Sequence, residues 1–326
     1  VSKASLSSLP AIGREGPCLI GPTHPAYAEV AMADPQGHGT ALCDIMPGVV
    51  TRLSTRVRRL TAPNAGMMTG PGTNSYLIGD GDDIALIDPG PADPDHLRSL
   101  LNVEGRIAYI FVTHTHKDHS PAAALLKRET GAVLYGLPPP LSDNKASDNQ
   151  DRTFQPDIVL TDGDIVALPS GVLRAIHTPG HASNHLCYLL QDERLLFTGD
   201  HVMQGSTVVI NPPDGDMAAY VASLNNLRDE RIDHFGPGHG FIIGRPIDMI
   251  DRLLRHRNLR EKKTLTGLKS LGRATLDALT PVVYDDVPPH KHPWAARSLL
   301  AHLIKLKAEG AVTLTDGIWA AQPALR

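Results

Sequence analysis

The chain has 326 residues, 41% of them hydrophobic and 20% charged, with a formal net charge of −4. That length exceeds one small core and suits two domains, or one large domain with an appendage, and the apolar content excludes a wholly disordered protein. No apolar run approaches the ~18–20 residues of a membrane helix, so no membrane role is expected. Residues 1–48 are rich in Gly, Pro, Ser and Ala and lack sustained periodicity, which predicts an irregular N-terminal extension. Val1 in place of an initiator Met leaves a removed leader open, although the first residues lack an apolar signal core. Cys18, Cys43 and Cys187 are scattered without a CxxC spacing, so a disulfide framework is not expected and a reducing, cytoplasmic setting is.

From residue 49 the pattern changes. Short apolar or alternating runs at 57–60, 75–78 and 84–87 predict strands, and 95–103 predicts a short helix. The continuous apolar run 107–112 fits a strand buried on both faces. A His-rich loop follows, then Ser120-Pro121 reads as the cap and first position of a helix that ends at Gly131. Further strands are expected at 132–135, 158–160, 165–168, 173–177, 186–190 and 195–198, with a polar loop over 138–156. Strands and helices alternate, so 49–245 is expected to be an α/β catalytic domain with mixed sheets. In 246–326 the spacing predicts an amphipathic helix toward Leu271, a short helix at 275–279, a linker at 281–293, a helix at 294–309 and a hairpin at 311–319. Three helices and a hairpin make a small domain of winged-helix type.

The chain holds 16 histidines, and their placement carries the functional reading. Thr113-His114-Thr115-His116-Lys117-Asp118-His119 puts four candidate metal ligands in six residues, between a buried strand and a helix. Such a loop can turn its imidazoles and carboxylate inward while its flanks hold it rigid; zinc takes imidazole nitrogen at about 2.0–2.1 Å. His181, Asp200 and His239 each occupy a Gly-containing turn beyond an apolar run, where a strand end can deliver a ligand to one sheet edge.

The order HxHxDH, His, Asp, His resembles the metallo-β-lactamase superfamily, an αββα sandwich that binds metal at its edge. The resemblance implies that His114, His116 and His181 hold a first metal, and Asp118, His119 and His239 a second. Asp200 would bridge the two, and Asp88, in Asp88-Pro89-Gly90, would support the ligands from behind. It implies two divalent ions, zinc first with Fe and Mn also fitting the donors, and a bridging hydroxide oriented by Asp118. An aspartate at 200, where true β-lactamases of this fold have Cys or Ser, argues against an antibiotic-resistance enzyme.

Over residues 46–314 the chain is similar to the beta-lactamase-like protein 2 endoribonuclease family. The motifs are Gly72-Thr73-Asn74-Ser75-Tyr76-Leu77, Pro237-Gly238-His239-Gly240, the helix Arg255-His256-Arg257-Asn258-Leu259-Arg260-Glu261, and the C-terminal helix around Leu299–Leu306. That likeness implies cleavage of single-stranded RNA. Between Arg245 and Arg273 nine Lys/Arg face three Asp/Glu, which reads either as a phosphate-facing stripe or as a solvated helix face. Arg257, Arg260, Lys262 and Lys263 are its candidates for substrate contact, and Asn74, Tyr76 and His185 are candidates nearer the metals. With only 4% aromatic residues, base-stacking platforms are scarce.

Two further readings stand beside the nuclease. One is a glyoxalase II-like thioesterase or lactonase acting on a small ester. It would gather basic side chains near the metals rather than spread them along a channel. The other is a nucleic-acid-binding regulator with a vestigial metal domain, which the intact ligand set disfavours. The C-terminal domain could equally make a homodimer or close over the pocket.

Overall fold

A computed structural model describes residues 45–140 and 149–322. The extension expected over 1–48 therefore lies, through residue 44, outside the described residues, as does 141–148 of the polar loop. The first sheet runs in sequence order through β1 (Val50–Arg52), β2 (Val57–Thr61), β3 (Asn74–Ile78), β4 (Asp83–Ile87), β5 (Arg106–Phe111), β6 (Val133–Gly136) and β7 (Ile158–Val159). Its first four strands pair antiparallel and β4 to β7 pair parallel. The second sheet has the order β12 (His234–Pro237), β11 (Leu195–Gly199), β10 (Leu186–Leu190), β9 (Gly171–His177) and β8 (Ile165–Leu168).

Period-two alternation builds the layers. On β4, Ala85 and Ile87 enter the core between the sheets, with Tyr76, Phe111, Tyr188 and Phe197. Ile84 and Leu86 face the other way, onto a cluster that includes Leu100 of α1 (Pro94–Leu101) and Leu126 of α2 (Ala122–Thr130). The far face of the second sheet is covered by α3 (Met217–Leu227) and the first half of α4 (Pro246–Leu271). The result is a helix–sheet–sheet–helix sandwich, buried on both faces of each central strand.

The last half of α4 leaves that layer. Its Leu268 packs with Leu279 of α5 (Leu276–Val283), Leu299 and Leu303 of α6 (His292–Ala308), and Trp319. The sheet of this C-terminal unit is β13 (Arg273–Ala274), β15 (Ile318–Ala321) and β14 (Val312–Thr315), with Asp316 and Gly317 both at positive φ in the hairpin turn. No helix of the described residues is long and apolar enough to cross a membrane.

Three local expectations differ. Ser120 does not cap α2: its hydroxyl donates to Asp151 Oδ2 at 2.8 Å, and α2 starts at Ala122 with no side-chain cap. Pro281 lies inside α5 rather than opening a linker, so the helix lacks the backbone bond that residue would otherwise donate. Helix α3 was not anticipated, although Asp216 caps it and Met217, Tyr220, Leu224 and Leu227 repeat at helical spacing.

Candidate metal centre and its pocket

Strands β4, β5, β9, β11 and β12 all end at one edge of the sandwich, and the His114–His119 loop, His181, Asp200 and His239 follow the last four of them. There His114 Nε2 is 2.9 Å and His181 Nε2 is 3.0 Å from His116 Nδ1. Asp118 Oδ2 is 3.6 Å from His119 Nε2 and 3.3 Å from His239 Nε2. Asp200 reaches both groups: Oδ1 is 3.4 Å from His119 Nε2 and 3.3 Å from His239 Nε2, and Oδ2 is 3.6 Å from His181 Nε2. The structure thus brings all seven side chains together as three overlapping groups, His114–His116–His181, His114–His119–Asp200 and Asp118–His119–His239, with Asp200 between the outer two.

The tautomers follow from the other ring nitrogens. His181 Nδ1 donates to Val209 O at 2.9 Å and His239 Nδ1 to Gly72 O at 3.1 Å. His119 Nδ1 donates to Asp88 Oδ2 at 2.8 Å. Thr113 Oγ1 gives its proton to Asp88 Oδ2, so it accepts from His114 Nδ1 at 3.0 Å. Each ring, when neutral, therefore turns an Nε2 lone pair into the cluster. His119 Nε2, His239 Nε2 and Asp200 Oδ1 are buried and have no hydrogen-bond partner among the described residues. Converging lone pairs and orphaned acceptors are what a pair of divalent cations requires, and the donor set of imidazole and carboxylate suits Zn, Fe and Mn.

Electrostatics agree with that fit. Burial, with the neighbouring imidazoles, holds His114 well below the ordinary histidine range, and burial with His181 brings His116 down to about 3. Burial would raise Asp118, yet His119 and His239 hold it down to about 2. Burial also opposes a charge on His119 and His239. The carboxylates around them outweigh it, holding His119 well above its usual value and His239 up to about 9. The carboxylates on this side demand positive charge.

Asp88 organises the loop from behind. It accepts from Thr113 N and Thr113 Oγ1 as well as His119 Nδ1, each at 2.8 Å, while held at φ 52°. Close approach is needed at Gly238, where a Cβ would lie 2.8 Å from both Asp200 Oδ1 and His119 Cε1.

The substrate candidates are placed differently. Asn74 and Tyr76 are buried: Asn74 Nδ2 donates to Pro237 O and Gly240 O, and Tyr76 OH donates to Pro237 O, so both brace the turn that carries His239. His185 is buried, stacked 5.0 Å from His114, and its Nε2 accepts from Asp200 N at 3.2 Å. On α4, Pro246, Ile250, Leu253, Arg257, Arg260, Thr264 and Leu268 form one buried stripe, so two of the basic candidates point inward. Arg257 lies over Tyr220 and bonds Val208 O; Arg260 clamps Asp286 at 2.6 and 2.8 Å. Lys263 pairs with Asp285, and Lys262 is exposed. Arg257 and Arg260 thus belong to the buried stripe of the helix, whereas Arg252, Arg255, Lys262 and Lys269 are exposed on its outer side.

A cavity of about 640 Å³ opens above the ligands. His116, Asp118, His181 and Asp200 form its floor; Met67, Met68, Met203, Val208 and Val209 give it apolar sides. Lys117 lies beside the floor, and Lys291, Trp294 and Arg297, from the start of α6 and the turn before it, complete the wall. The sequence reading missed this wall. Its signal was a tryptophan flanked by two cations at a helix start, one of only two tryptophans in the chain.

Comparison with known proteins is consistent across the chain. Residues 68–239 match the metallo-beta-lactamase superfamily and residues 275–319 the beta-lactamase associated winged helix domain. A beta-lactamase-like protein 2 homolog of Caenorhabditis elegans is 31% identical over 79% of this chain and 84% of its own length. An atrochrysone carboxyl ACP thioesterase of Paecilomyces divaricatus is 31% identical over 67% of this chain and 66% of its own. A beta-lactamase domain protein from Burkholderia ambifaria has the same fold, with a TM-score of 0.71 at 20% identity, over 86% of this chain and 96% of that one.

Proposed function

Because the chain belongs to the metallo-β-lactamase superfamily, it is a hydrolase, and we propose that it hydrolyses a carboxylic ester, with an acyl thioester as the leading case. The observation that carries this reading is the shape and lining of the cavity over the ligand cluster. Its volume of about 640 Å³ is that of a small-molecule site, its lining includes Met67, Met68, Met203, Val208 and Val209 among polar side chains such as Asn149, Gln150 and Thr207, and Lys117, Lys291 and Arg297 share it with the ligands. Two of the basic residues that a polyanion channel would have used, Arg257 and Arg260, are buried.

His114, His116 and His181 would hold one divalent ion, Asp118, His119 and His239 a second, with Asp200 common to both and zinc the first choice. Such a pair, when bound, lowers the pKa of water toward ~7 and polarises a carbonyl oxygen. The chain's own groups do the rest. Asp118, kept as a carboxylate and lining the floor, can accept a hydrogen bond from the attacking water and orient it, the water's proton passing on to solvent. The apolar sides hold the acyl group against the floor and exclude bulk water. A C–O bond forms at the acyl carbon, the C–S bond breaks, and the thiolate leaves to be protonated by solvent. Net, one water is consumed, and an acid and a thiol are released.

Single-stranded RNA is the second reading, favoured by three cations, Lys117, Lys291 and Arg297, on one cavity. The deciding experiment is turnover by the metal-loaded protein of S-lactoylglutathione, benzoyl-coenzyme A and a single-stranded oligoribonucleotide, with Asp200→Ala as control. Ester hydrolysis that falls at least about 1,000-fold in the control is expected. Cleavage of the oligonucleotide alone would replace the ester reading with the nuclease.

A further inference from the structure

Resting on the thioester reading above, we infer that Lys291, Trp294 and Arg297 form a recognition wall for the anionic thiol half of the substrate. The C-terminal domain would then select which acyl thioester reaches the metals.

The argument begins with charge. Among the described residues, the acid on this cavity apart from the ligand carboxylates of the floor is Asp214, and it is already tied down by Gln150 Nε2 at 3.0 Å and Ser183 N at 3.2 Å. Lys117, Lys291 and Arg297 have no carboxylate partner among the described residues. By contrast, Arg260 is paired with Asp286, Lys263 with Asp285 and Lys305 with Glu261. Of this domain's cations, Lys291 and Arg297 are the two among the described residues that line the cavity. No acidic residue lies in the first turn of α6, whose positive end begins at the same place.

Shape supplies the second half. Of the two tryptophans, Trp319 is buried in the core of the C-terminal domain, whereas Trp294 is half-buried on the cavity wall between the cations. An indole flanked by a lysine and an arginine suits a ligand that is apolar along part of its length and anionic at an end. With Met67 and Met68 exposed opposite, the cavity has room and lining for an acyl group at the floor and a charged carrier toward the wall. The anion could be the carboxylates of a peptide thiol or the phosphates of a nucleotide-bearing thiol, since both accept the fork of an arginine.

The test compares three thioesters with one acyl group: benzoyl-coenzyme A, S-benzoylglutathione and the neutral benzoyl-N-acetylcysteamine. In Lys291→Glu/Arg297→Glu, KM for at least one anionic thioester should rise about 20-fold with kcat held within twofold, while the neutral one is unchanged. Which anionic substrate responds identifies phosphate or carboxylate as the source. Equal effects on all three, or none, overturn the wall. Binding of free coenzyme A and of glutathione, followed by Trp294 fluorescence in the wild type with Trp294→Phe as blank, gives a readout independent of chemistry. Charge-dependent binding without turnover of any thioester would keep the wall and sink the hydrolytic reading. Turnover of all three with no charge dependence would do the reverse. Charge-dependent cleavage of a single-stranded oligoribonucleotide without thioester turnover would assign the wall to RNA and overturn the inference.

Discussion

Arg257 Nη2 donates to Val208 O at 2.6 Å, and the carbonyl of the next residue, Val209, accepts from His181 Nδ1 at 2.9 Å. A long helix of the C-terminal half therefore fixes the loop that orients a candidate ligand. Ser298 Oγ, from α6, accepts from Ile210 N at 3.3 Å on the same loop. Arg257→Met keeps much of the side-chain volume and removes the bond. Metal affinity should fall by about 10-fold, the lower end for a group that orients a ligand. Competition with a chromophoric chelator measures it, and unchanged affinity would mean that the loop holds without the arginine.

Asp88 gives a sharper case. Asparagine tolerates its positive φ, so Asp88→Asn isolates the charge and the lost acceptor from backbone strain. One amide group must now face a donor, either Thr113 or His119 Nδ1. Metal affinity at the His119 set should drop about 10–100-fold, with the fold retained by circular dichroism. A variant that still binds two equivalents at wild-type affinity would remove Asp88 from the site's support.

Gly238→Ala tests close packing. The added carbon would press on Asp200 Oδ1 and on the His119 ring, each 2.8 Å away, and separate the shared carboxylate from the His119 set. Metal content by elemental analysis should fall from two equivalents toward one, with Tm lowered by a few degrees through about 1–2 kcal/mol of strain. Two full equivalents would show that the turn relaxes.

His96 controls a pH effect away from the ligands. It is buried, its Nε2 donating to Pro89 O at 3.1 Å, and burial pushes its pKa down to about 4. The fold therefore keeps it neutral, while the unfolded chain takes up a proton below about 6.5. Its contribution is intact above pH 6.5 and is lost as pH falls from 6.5 toward 4. Between pH 7 and pH 5 the loss is about 2 kcal/mol by linkage. Urea unfolding at both pH values should show that extra loss in the wild type and not in His96→Gln. Parallel behaviour of the two proteins would count against it.

What the sequence made legible was set by local spacing. Four ligands lie within six residues, and the other three follow apolar runs closed by glycine, so strand ends and ligands could be read together. Arg257 and Arg260 were misread because charge was weighed before phase. Extending the Ile250–Leu253 stripe by alternating steps of four and three lands on both. Asn74 and Tyr76 were placed near the metals, but the partner that turns them inward, the Pro237–Gly240 turn, is more than 160 residues away. Lys291, Trp294 and Arg297 escaped because nothing local says that a distal helix start folds back over the ligand edge.

The cavity's floor and its cationic wall come from distant parts of one chain. The hydrolytic centre can be inherited unchanged while a different C-terminal module, or merely a different first turn of α6, redirects it to another class of compound. Divergence in what such relatives act on would then be written in a few surface positions near residue 294, far in sequence from any ligand, and comparison restricted to the ligand motifs would overlook it.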